Sequence, residues 1–129
     1  MGQAMSDARI ALVVEDDPAV RDLATAVLEE TDLDVIACET AEAAISVLEQ
    51  PDLQVALLFA DVRLPGPMDG LALARTVGRR WPETRVIVTS GADASRSMEM
   101  PEQARFMRKP WRPLDVLVEA EKATLRQAA

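Results

Sequence analysis

Four short apolar runs, each followed at once by charged or hydroxyl side chains, constrain the fold of this chain more than any other feature. The runs occupy residues 10–14, 55–60, 86–88 and 106–107. Runs of this kind are typical of parallel strands that are covered on both faces. Because the carboxyl ends of parallel strands lie along one edge of a sheet, where open α/β folds bind ligands, we expect the polar groups behind the runs to meet there.

The groups that follow the runs are those that a magnesium-dependent phosphoryl site requires. They are Glu15-Asp16-Asp17, Asp61, Thr89-Ser90-Gly91 and Lys109-Pro110. Magnesium takes oxygen ligands, so Asp16 and Asp61 are candidate direct ligands, and Glu15 is a candidate to hold a metal-bound water. A lysine supplies fixed positive charge to a transferred phosphoryl group and a hydroxyl can donate a hydrogen bond to it. Lys109 and Ser90 suit these two roles.

Each of these residues also has a purely structural interpretation. Acidic residues 15–17 would suit the N-terminus of a helix, where negative charge is stabilised. Asp61 could form a turn, and Ser90 and Lys109 could stand at ordinary strand exits. The groups follow separate predicted strands, however, and this conjunction favours one shared site.

Helical periodicity between the runs completes an α/β pattern. The predicted strands cover residues 10–14, 35–38, 55–60, 85–89 and 104–107. The predicted helices begin at the caps Asp17 and Thr40, include 71–77, and cover 114–125. Such alternation implies right-handed βαβ crossovers and a parallel sheet with helices on both faces. Residues 91–101 are weakly periodic and close on a proline, so at best a turn or two of helix is expected there.

Composition narrows the classes of protein. The chain has 129 residues and a net charge of -8, which indicates one domain and argues against a nucleic-acid-binding surface. No apolar run approaches the roughly 20 residues of a membrane span, and no signal peptide is predicted. The single Cys38 cannot form an internal disulfide, so a cytoplasmic location is expected. Because the chain has no histidine, any histidine chemistry must come from a partner.

From about Arg9 to Leu125 the chain resembles the receiver domains of two-component response regulators. The residues that carry the resemblance are the acidic cluster after Leu12-Val13-Val14, Asp61 with Leu64-Pro65 and Asp69-Gly70, Thr89-Ser90-Gly91, and Phe106 with Lys109-Pro110. The resemblance implies a doubly wound, flavodoxin-like sheet of five parallel strands in the order 2-1-3-4-5. We expect the fourth helix of that fold to be shortened or missing. Residues 1–8 are interpreted as a flexible leader and 9–126 as the receiver domain, without an output domain.

The resemblance also implies how the acidic residues act. Asp61 would accept a phosphoryl group from a phosphohistidine on a sensor histidine kinase or a histidine phosphotransfer protein. Asp16, Asp61 and the backbone carbonyl of Arg63 would bind Mg²⁺ or Mn²⁺. Glu15 would reach the ion through a water molecule; it replaces an aspartate that is frequent in the family, a change that we expect to be harmless.

At the other strand ends the resemblance implies a switch. Ser90 would swing toward the phosphoryl group, Lys109 would pair with that group, and Phe106 would turn inward when Ser90 moves. Phe106 lacks the hydroxyl of the tyrosine often found at this position, so its inward state would depend on packing. Trp111, just beyond Lys109, is a candidate partner contact near the rim of the site, with simple packing on the last helix as the alternative.

The leading hypothesis is a stand-alone receiver that passes or stores a phosphoryl group and signals through contacts with a downstream protein. It would not be an enzyme in the usual sense, since only its own phosphorylation and dephosphorylation are implied. One alternative is a phosphorylation-independent interaction module with a vestigial site. A phosphatase with an aspartyl nucleophile is disfavoured, because such enzymes often carry a second acid two residues on and Asp61 is followed by Val62 and Arg63. The cognate kinase, pathway, phosphoryl lifetime and oligomeric state are left open.

Overall fold

The computed structural model describes residues 9–91 and 100–128, with side chains as far as residue 125. The leader predicted at residues 1–8 lies outside the described residues. Residues 92–99, on which the prediction of a shortened or missing fourth helix depends, lie outside them as well.

Within the described residues the chain alternates strands and helices, as its sequence predicts. The elements are β1 (Arg9–Val14), α1 (Pro18–Leu28), β2 (Asp34–Cys38), α2 (Ala41–Leu48), β3 (Gln54–Asp61), α3 (Gly70–Arg80), β4 (Arg85–Ser90), β5 (Ala104–Arg108) and α4 (Pro113–Ala128). The five strands form one parallel sheet in the order β2-β1-β3-β4-β5. The predicted fold class is therefore confirmed.

The register of the sheet places the ends of neighbouring strands side by side. Val14, the last residue of β1, pairs with Ala60 of β3. Asp61, the next residue of β3, pairs with Thr89 of β4. Ser90 pairs with Arg108 of β5 in turn. The four strands β1, β3, β4 and β5 therefore end at nearly the same level, at one edge of the sheet.

Side-chain caps fix where three of the helices begin. Asp17, Thr40 and Asp69 each accept hydrogen bonds from backbone amides in the first turns of α1, α2 and α3. Such a cap stabilises a helix by about 1 kcal/mol. In the acidic cluster after β1 the capping role belongs to Asp17. Glu15 and Asp16 do not cap this helix, so their carboxylates are available for another role.

The sheet divides the core into two layers. One apolar cluster packs under α2 and α3, and the other under α1 and α4. Trp81 packs against the first cluster at the end of α3.

Trp111 belongs to the second cluster, where its ring meets Phe59 edge-to-face with centroids 5.4 Å apart. Only 9% of Trp111 is exposed, so the indole is not presented on the rim as a partner contact would require. This corrects the expectation from the sequence. An indole has a large apolar area to remove from water, and the layer under α4 provides a place for it.

No described helix combines the length and the apolarity needed to cross a membrane.

Candidate functional site

Three carboxylates meet at the carboxyl edge of the sheet. Glu15 and Asp16 directly follow β1, and Asp61 ends the neighbouring strand β3. One ligand atom of each of the three residues lies within 4.8 Å of those of the other two. Glu15 and Asp61 are buried, whereas Asp16 is exposed. The structure thus brings together the acids that the sequence predicted would meet.

Lys109 approaches the acids from the end of β5. Its Nζ donates a hydrogen bond of 2.6 Å to Asp61 Oδ2 and lies 3.6 Å from Glu15 Oε1. Burial by itself would lower the pKa of Lys109, but the hydrogen bond and charge of Asp61, together with Glu15, outweigh burial and raise it. The ammonium group therefore stays positively charged at neutral pH.

Glu15 is fully buried, and its two carboxylate oxygens differ in their surroundings. Oε2 accepts a hydrogen bond of 3.2 Å from the amide of Asp17. Oε1 has no hydrogen-bond partner among the described residues. Burial raises the pKa of Glu15 to about 7; the Asp17 amide offsets part of that rise, and the charge of Asp61 adds to it.

The donor set fits a hard divalent cation. Carboxylate oxygens are the ligands that Mg²⁺ and Mn²⁺ prefer in proteins. A buried carboxylate oxygen without a hydrogen bond, such as Oε1 of Glu15, is costly, and a cation or its bound water would reduce that cost. Glu15, Asp16 and Asp61 could therefore hold such an ion.

The second oxygen of Asp61 is held by the loop that follows β3. Oδ1 accepts a hydrogen bond of 3.0 Å from the amide of Arg63. Arg63 is thus beside Asp61, and the role of its carbonyl as a metal ligand stays a prediction. The loop itself is anchored, since the amide of Val62 donates to the carbonyl of Thr89 at 2.8 Å. Both carboxylate oxygens of Asp61 are therefore oriented by separate donors.

Ser90 ends β4, the strand next to β3, and Phe106 lies on β5, one strand further from Asp61. Ser90 is buried, and its carbonyl accepts a hydrogen bond of 2.9 Å from the amide of Lys109. Phe106 is partly buried and pairs with Val88 in the sheet. The serine hydroxyl thus belongs to the strand end that anchors Lys109. The swing of Ser90 and the inward turn of Phe106 stay predictions.

Gly70 shapes the site, although the sequence assigned it no role of its own. A Cβ atom at this position would lie 1.9 Å from the carbonyl oxygen of Asp61. The amide of Gly70 also donates to the carbonyl of Val62 at 2.9 Å. The first turn of α3 can therefore contact the backbone of Asp61 only because residue 70 has no side chain. The signal in the sequence was the Asp69-Gly70 pair at the end of a proline-rich loop.

Arg21 is a second residue whose role was missed. It is the only basic residue of α1, and its Nη1 donates a hydrogen bond of 3.0 Å to the backbone carbonyl of Glu15. A single basic residue one turn after the acidic cluster was the available signal. A contact to a main-chain carbonyl leaves no trace in a residue pattern.

An open 2-1-3-4-5 sheet with acids and a lysine at its carboxyl edge has the architecture of a receiver domain. The family model described as the response regulator receiver domain matches residues 11–120. The chain therefore belongs to the response regulator receiver domain family.

Two curated relatives are regulators of transcription by their names. The transcriptional regulatory protein AruR of Pseudomonas aeruginosa is 40% identical over 85 residues, which are 64% of this chain and 34% of AruR. The DNA-binding transcriptional regulator NtrC of Klebsiella pneumoniae is 33% identical over 113 residues, 83% of this chain and 22% of NtrC. The match to this chain spans only about a third of AruR and about a fifth of NtrC.

Solved structures share the fold over nearly the whole chain. A response regulator receiver protein from Sinorhizobium medicae superimposes with a TM-score of 0.81 at 20% identity, covering 93% of this chain and 98% of that one. A CheY-like receiver domain protein from Methanospirillum hungatei gives a TM-score of 0.78 at 25% identity, with 95% and 98% covered. The fold is thus the CheY-like receiver fold.

Proposed function

We propose that this chain is a phosphoacceptor in two-component or phosphorelay signalling. It takes a phosphoryl group onto Asp61 from a phosphohistidine on a sensor histidine kinase or a histidine phosphotransfer protein, with Mg²⁺ or Mn²⁺ bound beside it. The observation that carries the proposal is the 2.6 Å contact between Lys109 Nζ and Asp61 Oδ2, beside the carboxylates of Glu15 and Asp16.

The transfer exchanges one bond for another. An oxygen of Asp61 forms a bond to phosphorus while the bond from phosphorus to the imidazole nitrogen of the donor breaks, and the electron pair of that bond stays on the imidazole. The donor imidazole belongs to the partner, because this chain has no histidine. When bound, the divalent ion supplies positive charge that offsets the charge spread over the phosphoryl oxygens.

The residues of the chain orient the acceptor and stabilise charge. Arg63 and Lys109 hold the two oxygens of Asp61 in fixed directions, so little reorganisation is needed when the donor arrives. The ammonium of Lys109 faces the position where negative charge develops, and only part of this side chain is exposed, so the charge is weakly screened. Ser90, at the end of the adjacent strand, offers its hydroxyl to the transferred group.

The phosphorylated state would be read by another protein. The relatives named as transcriptional regulators are much longer than the region they share with this chain, so we assign no transcriptional activity to it. We place the chain in the cytoplasm, where the unpaired Cys38 would stay reduced.

Intact-mass measurement after incubation with acetyl phosphate and MgCl₂ tests the proposal. We expect the wild-type chain to gain one labile phosphoryl group and Asp61→Asn to gain none. Asp69→Asn is the matched control, since Asp69 lies outside the site and asparagine caps a helix as well as aspartate. This control should be phosphorylated like the wild type. If none of the three proteins forms an adduct, the interaction module with a vestigial site becomes the better explanation.

A further inference from the structure

The backbone of Glu15 is held from both sides. Its amide donates to the carbonyl of Cys38 on β2 at 3.0 Å, and its carbonyl accepts from Arg21 Nη1 at 3.0 Å. Its side-chain oxygen Oε2 is held in addition by the amide of Asp17. After these contacts, Oε1 is the atom that faces Lys109 at 3.6 Å and has no hydrogen-bond partner among the described residues.

Of the three hydrogen-bond partners of Glu15 named above, Arg21 is the one that acts through its side chain. Its guanidinium is largely buried, with 20% of the side chain exposed. It also lies 4.0 Å from the carboxylate of Glu39, but that side chain is 69% exposed, and exposed pairs contribute little. The hydrogen bond to the carbonyl of Glu15 is therefore the contact that matters.

The charge of Arg21 has the wrong sign to favour a cation in the site. A guanidinium that bonds the backbone beside the metal-binding acids repels a divalent ion bound to them. If charge were its only effect, removing it would tighten binding of the ion. If Arg21 strengthens binding of the ion, it must do so by positioning the residues that bind it.

We propose that Arg21 is a positioning residue for the metal-binding acids. By fixing the carbonyl of Glu15, it holds the peptide between Glu15 and Asp16 and so keeps both carboxylates directed toward Asp61. The inference rests on the proposed function, because it concerns the same divalent-ion site.

Titration with MgCl₂, followed by the amide resonances of the 15–17 segment and residue 63, tests this inference in three proteins. In Arg21→Met we expect the Kd for Mg²⁺ to rise about tenfold, the lower end of what losing a residue that orients metal ligands costs. Arg85→Met is the matched control, because Arg85 has nearly the same exposure (18%) but pairs with Glu119, away from the site. Arg85→Met should lose thermal stability while keeping the wild-type Kd.

The direction of the change in Arg21→Met is decisive. A Kd equal to that of the wild type, with a lower melting temperature, would show a merely structural role and overturn the inference. A lower Kd would show that only charge matters, and would overturn it as well. If Arg21→Met does not fold, Arg21→Leu, which also lacks a hydrogen-bond donor, takes its place with the same expected direction, and a wild-type Kd in that variant overturns the inference. Wild-type resonances that do not respond to MgCl₂ would refute the proposed metal site itself, whereas a failure confined to the variants concerns Arg21 alone.

Discussion

The ammonium group of Lys109 lies 2.6 Å from Asp61 Oδ2, although 48 positions separate the two residues in the chain. Asp61 ends β3 and Lys109 directly follows β5, and these strands are not neighbours, since β4 lies between them. The contact therefore exists only because a parallel sheet brings its strand ends to one edge. The contact places a positive charge beside Asp61, the proposed phosphoacceptor, before any phosphoryl group arrives.

Replacing Lys109 by methionine should slow phosphorylation of Asp61 strongly. The variant keeps the length of the side chain but removes the charge that faces the transferred group. Loss of one preorganised electrostatic contact in a reacting site costs on the order of 100-fold in rate. The initial rate of adduct formation with acetyl phosphate, followed by intact mass, measures the effect. Lys122→Met serves as control, since Lys122 pairs with Glu119 on α4. Equal rates in the two variants would contradict the role of Lys109.

Glu15 should make the metal-free protein less stable as pH rises. Burial raises its pKa from an ordinary 4.5 to about 7, so between these values the folded state holds a proton that the unfolded state has lost. Stability is then highest near the lower limit and declines through about pH 7. One pKa unit is worth about 1.4 kcal/mol, so the total effect of this shift should be about 3–4 kcal/mol.

Urea denaturation in the presence of EDTA, at about pH 5 and about pH 8, measures this effect as the difference between wild type and Glu15→Gln. The variant cannot titrate at this position, so the stability of the wild type relative to it should fall between the two pH values. A difference that stays constant, or that grows in favour of the wild type, would show that Glu15 titrates normally.

Gly70→Ala should destabilise the fold by about 2–3 kcal/mol, as overpacking of a tight contact does. The added methyl would lie 1.9 Å from the carbonyl oxygen of Asp61, and the nearest atoms are backbone, which cannot move aside cheaply. Gly91→Ala is the comparison, because no described atom lies within 4 Å of a Cβ placed there. Its stability should change by less than about 0.5 kcal/mol. Equal urea midpoints for both variants would mean that α3 adjusts freely.

Thr89→Val should leave stability unchanged or raise it by about 1 kcal/mol. The hydroxyl of Thr89 is buried and finds no hydrogen-bond partner among the described residues, so valine removes an unmet polar group. Thr84→Val should instead cost about 1 kcal/mol or more, because the buried hydroxyl of Thr84 donates to the carbonyl of Val55 at 2.8 Å. Thermal melting of the two variants compares these positions directly. If Thr89→Val lost more stability than Thr84→Val, the hydroxyl of Thr89 would have a hydrogen-bond partner in solution.

Much of the candidate site could be predicted because its residues stand where the chain changes pattern. Each apolar run marked a strand, and the polar residue behind it marked the strand end. The rules of parallel sheets then placed those ends together. That topology predicted that the acids and Lys109 would meet, whereas the hydrogen bond from Lys109 to Asp61 itself was seen only in the structure.

Trp111 shows where such reasoning fails. Its position in a polar loop after β5 indicated a rim residue, yet it is buried against Phe59. Whether a loop aromatic faces solvent or the core depends on how the chain turns onto the neighbouring layer. That turn is not encoded in a short pattern around the residue.

Strand periodicity, helix caps and donor types are local properties, and they were enough to predict the class of fold, the order of the elements and the chemistry at the edge of the sheet. Packing of the layers, in contrast, revealed that Gly70 admits the start of α3 against Asp61, that Arg21 holds the carbonyl of Glu15, and that Trp111 belongs to the core. These three facts concern contacts between different elements, even where, as for Arg21 and Glu15, only six positions separate the residues. They arise when the layers pack, and no local pattern specifies them.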